Sequence, residues 1–306
     1  MLGVLLEVAG IPPGSVERYR TMSSEPRKSQ PRVQSAFTPK DTAQDTSPPL
    51  PPLGLGRALR TAIRDIWDRL GLVIAISLTW ILLFSLVLTL AKLLPVSLSP
   101  FLRLGTLLLL STLFLSAPLA GAFWVAHRVC VHDEVGYLDF WRGTLALFGP
   151  ATRLGLLLML EGSMLGVNFW FYLSISHPIG RVAMLLCLYT LLFWGMIAVY
   201  QFPLLVVQEE GVFDDPERRA KRGVLAVQRR AVFLVLGNLG FSLGLFVVVL
   251  LLTFLFTMAA IPLALFWAGA ISLLTTQATR TLLIKYEILP PPPVVETLRD
   301  EDFRIS

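Results

Sequence analysis

Six apolar runs of 22 to 26 residues fix what this chain can become: Gly71 to Leu94, Leu104 to Ala126, Leu154 to Ile175, Val182 to Val207, Ala231 to Phe256 and Pro262 to Ile284. A bilayer core is about 30 Å thick and needs roughly 20 helical residues to cross it. Inside that core every backbone polar group must be satisfied within the segment, which favours helices. The expectation is therefore an all-α polytopic membrane bundle of six transmembrane helices. The last two runs come from one apolar stretch, and Pro262 is where a second helix can restart, since proline is tolerated in a first turn.

Composition agrees with that class. Apolar residues make up 55% of the chain, mean hydropathy is +0.69, and only 15% of residues are charged, against about 25% in soluble domains. The pI near 9.5 does not point to nucleic acid, because the bases cluster at the ends of apolar runs, where they orient a membrane protein. Of the 26 lysines and arginines, 23 fall on one side of the six spans, and only Lys92, Arg103 and Arg181 fall on the other. The positive-inside rule then places both termini in the cytoplasm.

Outside the spans the chain divides simply. Residues 1–56 read as a disordered tail, rich in Ser, Thr, Pro and Gln from Ser23 onward and too poor in apolar clusters to fold. Leu2 to Leu6 is too short for a signal peptide or a span, and Met22 reads as an alternative start. Residues 57–70 carry Leu59, Ala62, Ile63, Ile66, Trp67 and Leu70 at helical spacing, with Arg57, Arg60, Arg64, Asp65, Asp68 and Arg69 opposite. That pattern predicts an interfacial amphipathic helix feeding the transmembrane domain of residues 71–286. Residues 287–306 read as a flexible tail. Val135 to Phe148, with Tyr137, Phe140 and Trp141, reads as an interfacial segment.

Glu161 is the one acidic residue well inside a span. A charge there costs about 2.5–3.5 kcal/mol on insertion scales and turns toward protein or a wet cavity. At 1.5 Å per residue, Glu161 lies about 10 Å from the cytoplasmic end of span three, and Gln201 and Asn238 fall at similar depths in spans four and five. Thr275, Thr276 and Gln277 fall at about 10–14 Å in span six. Two readings follow: a hydrated cavity whose carboxylate binds a cation, a proton or a polar solute, or interhelical hydrogen bonds that hold the bundle together. Ala117 with Gly121, and Gly240 with Gly244, have the four-residue spacing that lets helices approach closely.

No catalytic signature stands out. His127 and His132 are five apart, so they would not share a helix face as zinc-binding histidines do. Cys130 and Cys187 form neither a disulfide framework nor a metal set. The expectation is no cofactor, no metal and no enzyme activity.

Four landmarks carry a resemblance: Ser116-Ala-Pro-Leu-Ala-Gly-Ala-Phe-Trp-Val-Ala-His-Arg128, Asp139-Phe-Trp-Arg-Gly143, Asn168-Phe-Trp-Phe-Tyr172 and Tyr200-Gln-Phe-Pro-Leu204. In that order and spacing, over roughly residues 60 to 286, the chain resembles the YesL-like family of bacterial multi-pass membrane proteins, a domain of unknown function. The resemblance implies a six-helix bundle in the cytoplasmic membrane and an association with carbohydrate uptake systems; it transfers no catalytic residue. The expected function is a non-catalytic accessory or assembly component beside a transport complex, with a small transporter or channel around Glu161 as the alternative. The expected partners are the lipid bilayer and a membrane transport complex.

Overall fold

The computed structural model describes residues 54–93, 99–131, 134–212, 223–258 and 265–289. Among these, all regular structure is helical: α1 (Leu55–Asp68), α2 (Leu70–Lys92), α3 (Pro100–Cys130), α4 (Tyr137–Ala146), α5 (Phe148–Leu173), α6 (Pro178–Glu209), α7 (Val224–Gly237), α8 (Leu239–Met258) and α9 (Trp267–Lys285). Five helices, α2, α3, α5, α6 and α8, are long and apolar enough to cross a membrane. Of the predicted tails, residues 1–53 and 290–306 lie outside the described residues, as does Pro262; Leu55 and Gly56, assigned to the first tail, belong to α1, and Ile288 and Leu289, assigned to the last, pack against the core.

Local signals start these helices where the sequence permits. Ser99 caps α3 by accepting from the Leu102 N–H at 3.3 Å, and Pro100 takes the first helical position, where no N–H is needed. His177 caps α6 through Nδ1, with Pro178 following. At its other end α6 closes on Gly211, whose φ of 83° lies in the left-handed region that glycine tolerates.

The fifth predicted span, Ala231 to Phe256, is not one helix. It breaks at Asn238, whose φ of −143° and ψ of 53° end α7 before α8 begins. Gly237 and Asn238 are both poor helix formers, and the Asn238 side chain gains partners at the break: Nδ2 donates to Tyr286 Oη and to the Leu234 carbonyl, and Oδ1 accepts from Lys285 Nζ at 2.6 Å. The crossing candidate is α8 alone, 20 residues long.

In place of the sixth predicted run stands α9, 19 residues that do not reach the hydropathy of the other five. The physical reason is position. It packs against α1, α2, α3, α6 and α8, and Ser272, Thr275, Thr276 and Thr279 are all buried along it. A helix face buried against other helices can carry hydroxyls, because they bond to carbonyls of the same helix. Thr275 and Thr279 donate to carbonyls one turn back at 2.7 Å. The first turn of α9 sits against α2: the Gly269 N–H donates to Ser77 Oγ at 3.0 Å, and a Cβ on Gly269 would stand 2.8 Å from the Val73 carbonyl oxygen. The Trp267 ring lies 4.8 Å from that of Trp80, about 15 Å along α2 from Leu70.

Helix α1 lies against α9 through buried Ala58 and Ala62 and leaves Ile63 and Trp67 exposed. It touches α8 and α9 near its two ends: Leu55 fills the space a Cβ on Gly244 would take, while Asp65 accepts from Gln277. The predicted interfacial segment 135–148 contains α4, which folds back on α3. A Cβ on Gly121 would approach the Phe140 carbonyl to 2.7 Å, and a Cβ on Gly143 would meet Trp124 at 2.6 Å.

Burial is uneven along the spans. The end carrying Arg69, Arg128, Arg153 and Arg280, here the basic end, holds the packed core around Tyr200, Leu204, Leu205, Leu282 and Leu283. Toward the opposite end, α2 buries only Val87 beyond Ser77, α5 nothing beyond Gly155, and α6 only Gly180 before Met196. On α3 burial starts at Leu115.

Candidate functional site

Glu161 lies on α5, and among the described residues its two carboxylate oxygens meet neutral donors. Trp194 of α6 donates through Nε1 to Oε2 at 3.1 Å, and Gln228 of α7 donates through Nε2 to Oε1. Gly162, the next residue, gives the indole room; a Cβ there would stand 2.9 Å from the Trp194 ring. Three helices thus converge on one half-buried carboxylate. Each N–H bond to an ionised oxygen contributes about 1.5–3 kcal/mol, enough to offset much of the cost of placing that group in a span.

The other members of the predicted polar layer belong to separate networks. Asn238 joins Lys285 and Tyr286 at the break between α7 and α8. Gln277 joins Asp65 of α1. Gln201 is fully buried on α6, and neither its Oε1 nor its Nε2 has a hydrogen-bond partner among the described residues. Thr276 Oγ1 is likewise buried without one. Asn168, seven residues beyond Glu161, donates to its own helix at the Met164 carbonyl, 2.7 Å away. The structure therefore joins Glu161 to none of Gln201, Asn238, Thr276 and Gln277.

Of the residues marked for close packing, Ala117 is buried, Gly121 faces α4 and Gly244 faces Leu55 of α1, while Gly240 faces open space. The two residues that hold Glu161 carried little signal in the sequence. Trp194 reads as one more apolar span residue, and Gln228 lies among bases outside the predicted fifth span.

At the basic end polar pairs tie helix ends together. His127 Nε2 of α3 lies 2.7 Å from Glu210 Oε2, just past α6. Arg230 of α7 donates to Gln208 Oε1 at 2.6 Å. Asp139 of α4 accepts from the Gly136 N–H at 2.9 Å, from Arg128 at 3.1 Å and from Arg142 at 3.3 Å. Those interactions, the backbone N–H foremost, hold the Asp139 carboxyl below the usual range against the opposing pull of burial. Among the described residues no three His, Cys, Asp or Glu side chains gather as a metal site would require.

A cleft of about 320 Å³ adjoins the Glu161 site, walled by Trp80 of α2, Leu115 and Leu119 of α3, Met159 of α5, and Trp194 and Phe202 of α6. Trp194 is common to both: its N–H holds Glu161 and its ring lines the cleft. No protein-family model matches this chain, and no curated protein or solved structure matches it either.

Proposed function

We propose that this chain is a multi-pass protein of a bacterial cytoplasmic membrane that works without catalysis, as an accessory or assembly subunit beside a transport complex for solutes such as carbohydrates. The observation that carries this reading is the uneven burial of the spans. The far halves of α2, α3, α5 and α6 are apolar and expose residues such as Leu82, Leu88, Val167 and Trp170, while the packed core occupies the basic end. Lateral apolar surface beyond a packed base suits a subunit that docks against another membrane protein. The YesL-like motif order belongs to the same proposal.

The basic end faces the cytoplasm in this reading, because the arginines gather there. Helices α8 and α9 run antiparallel, with Thr253 beside Trp267 at one end and Asn238 beside Lys285 at the other. That arrangement supports a chain that leaves the basic end along α8 and returns toward it along α9, and the reading puts both termini in the cytoplasm from the distribution of bases. The test is a mild-detergent pull-down of the tagged protein from native membranes followed by mass spectrometry. A stoichiometric transport subunit is the expected result; recovery of the protein alone contradicts the reading.

A second reading rests on Glu161. Among the described residues its partners are two neutral N–H donors, which leaves the carboxylate without a counter-charge there, as a cation site in a span requires. Solute uptake into vesicles that Glu161→Ala abolishes would favour this reading.

A further inference from the structure

We infer that the cleft between the α2–α3 and α5–α6 hairpins holds one acyl chain of a bilayer phospholipid, packed on the indole that positions Glu161. The argument begins with the walls. Leu115, Leu119, Met159 and Phe202 are apolar, and Trp80 and Trp194 present rings. Two of the hydroxyls at its edge spend their protons on their own helix: Thr112 donates to the Leu108 carbonyl at 2.8 Å and Ser116 to the Thr112 carbonyl at 2.5 Å. The chemistry offered is that of a hydrocarbon pocket. Water is a poor occupant, since it needs about two to four polar partners and the walls are largely apolar.

Position selects the guest. The walls belong to four of the five helices able to cross a membrane, and Trp80 lies about 15 Å along α2, near mid-span. The medium outside such a cleft is lipid chain, present at far higher concentration than any solute. Burying its methylenes against leucine and indole exchanges one hydrocarbon surface for another, so the gain comes from filling space that loosely packed walls leave open. Because the Trp194 ring forms part of the wall and its N–H donates to Glu161 at 3.1 Å, a seated chain also fixes the orientation of that indole.

The experiment uses the full-length protein in vesicles of phosphatidylcholine whose chains carry bromine near mid-chain, compared with the unbrominated lipid. Bromine quenches tryptophan fluorescence only at contact. The expected result is that Trp194→Phe removes part of the quenched signal, and that Ser111→Phe, which fills the cleft from α3, removes at least that part with Trp194 still present, since Trp80 lines the same cleft. Leu158→Phe fills it from α5 and guards against one variant that fails to fold. Native mass spectrometry should show one tightly held phospholipid per chain lost in both filled variants. If Trp194→Phe leaves the quenching unchanged, or if both filled variants retain the parent's quenching and lipid, the inference is overturned.

Discussion

Replacing Gly269 by alanine places a single methyl group against the backbone of α2 at Val73. The new Cβ would stand 2.8 Å from the Val73 carbonyl oxygen, 2.8 Å from Val73 Cγ1 and 3.0 Å from Val73 Cα. Two of those atoms are backbone, so no rotamer change relieves them; α9 must move about 0.6 Å to reach the 3.4 Å of ordinary contact. The same movement stretches the 3.0 Å bond from the Gly269 N–H to Ser77 Oγ. Overpacking of this kind costs about 1–3 kcal/mol, and a weakened hydrogen bond adds about 0.5–1.5 kcal/mol. The better helix propensity of alanine returns about 0.5–1 kcal/mol. The net expectation is a loss of about 1–3 kcal/mol, or several degrees in midpoint at about 2–4 °C per kcal/mol. Thermal unfolding in detergent micelles, read by circular dichroism, measures it. Gly166→Ala is the control, because a Cβ there meets nothing within 4 Å, and it should be neutral or slightly stabilising. A Gly269→Ala protein as stable as its parent would refute the placement of α9 against α2.

Three further outcomes are expected. Trp194→Phe and Gln228→Leu should each lower stability by about 1.5–3 kcal/mol if Glu161 is ionised, while Glu161→Gln should cost less; thermal midpoints of the three variants check this, and equal losses would contradict it. Gln201→Leu should leave stability unchanged or raise it by about 1 kcal/mol, because a fully buried amide without a partner gains from an apolar replacement of similar size; a large drop in midpoint would show that the amide is satisfied. Asp139 has a depressed folded pKa, so its stabilising effect is complete above the unfolded value of about 3.9 and fades as pH falls through the lower folded value. The midpoint difference between parent and Asp139→Asn should therefore be constant from neutral pH to about 5 and shrink below about 4; a difference that grows on acidification would contradict the assignment.

Most of the membrane architecture was legible in the sequence because four of the spans obey length and hydropathy alone: α2, α3, α5 and α6 contain or nearly contain the runs expected for them. The sequence signal failed where tertiary contacts decide. A hydropathy window runs smoothly through Gly237 and Asn238, yet the Asn238 side chain finds Tyr286 and Lys285 and so settles the break. The serines and threonines of α9 lower its hydropathy because protein surrounds it, a fact that no single-helix pattern carries. Depth arithmetic placed Glu161, Gln201, Asn238 and Gln277 in one layer, but depth says nothing of the direction in which a side chain points. Gln277 turns to α1, Asn238 to the end of α9, and Glu161 to Trp194 and Gln228.

The most direct test of the proposed role is photo-crosslinking in native membranes from single sites on the exposed far halves. A crosslinking amino acid at Leu88 of α2 or Val167 of α5 would be compared with one at Leu225 of α7, an exposed position outside the five candidate spans. The account predicts a discrete adduct with one transport subunit from Leu88 or Val167, in near-stoichiometric amount, and none from Leu225. Adducts with lipid alone from both far-half sites would contradict it.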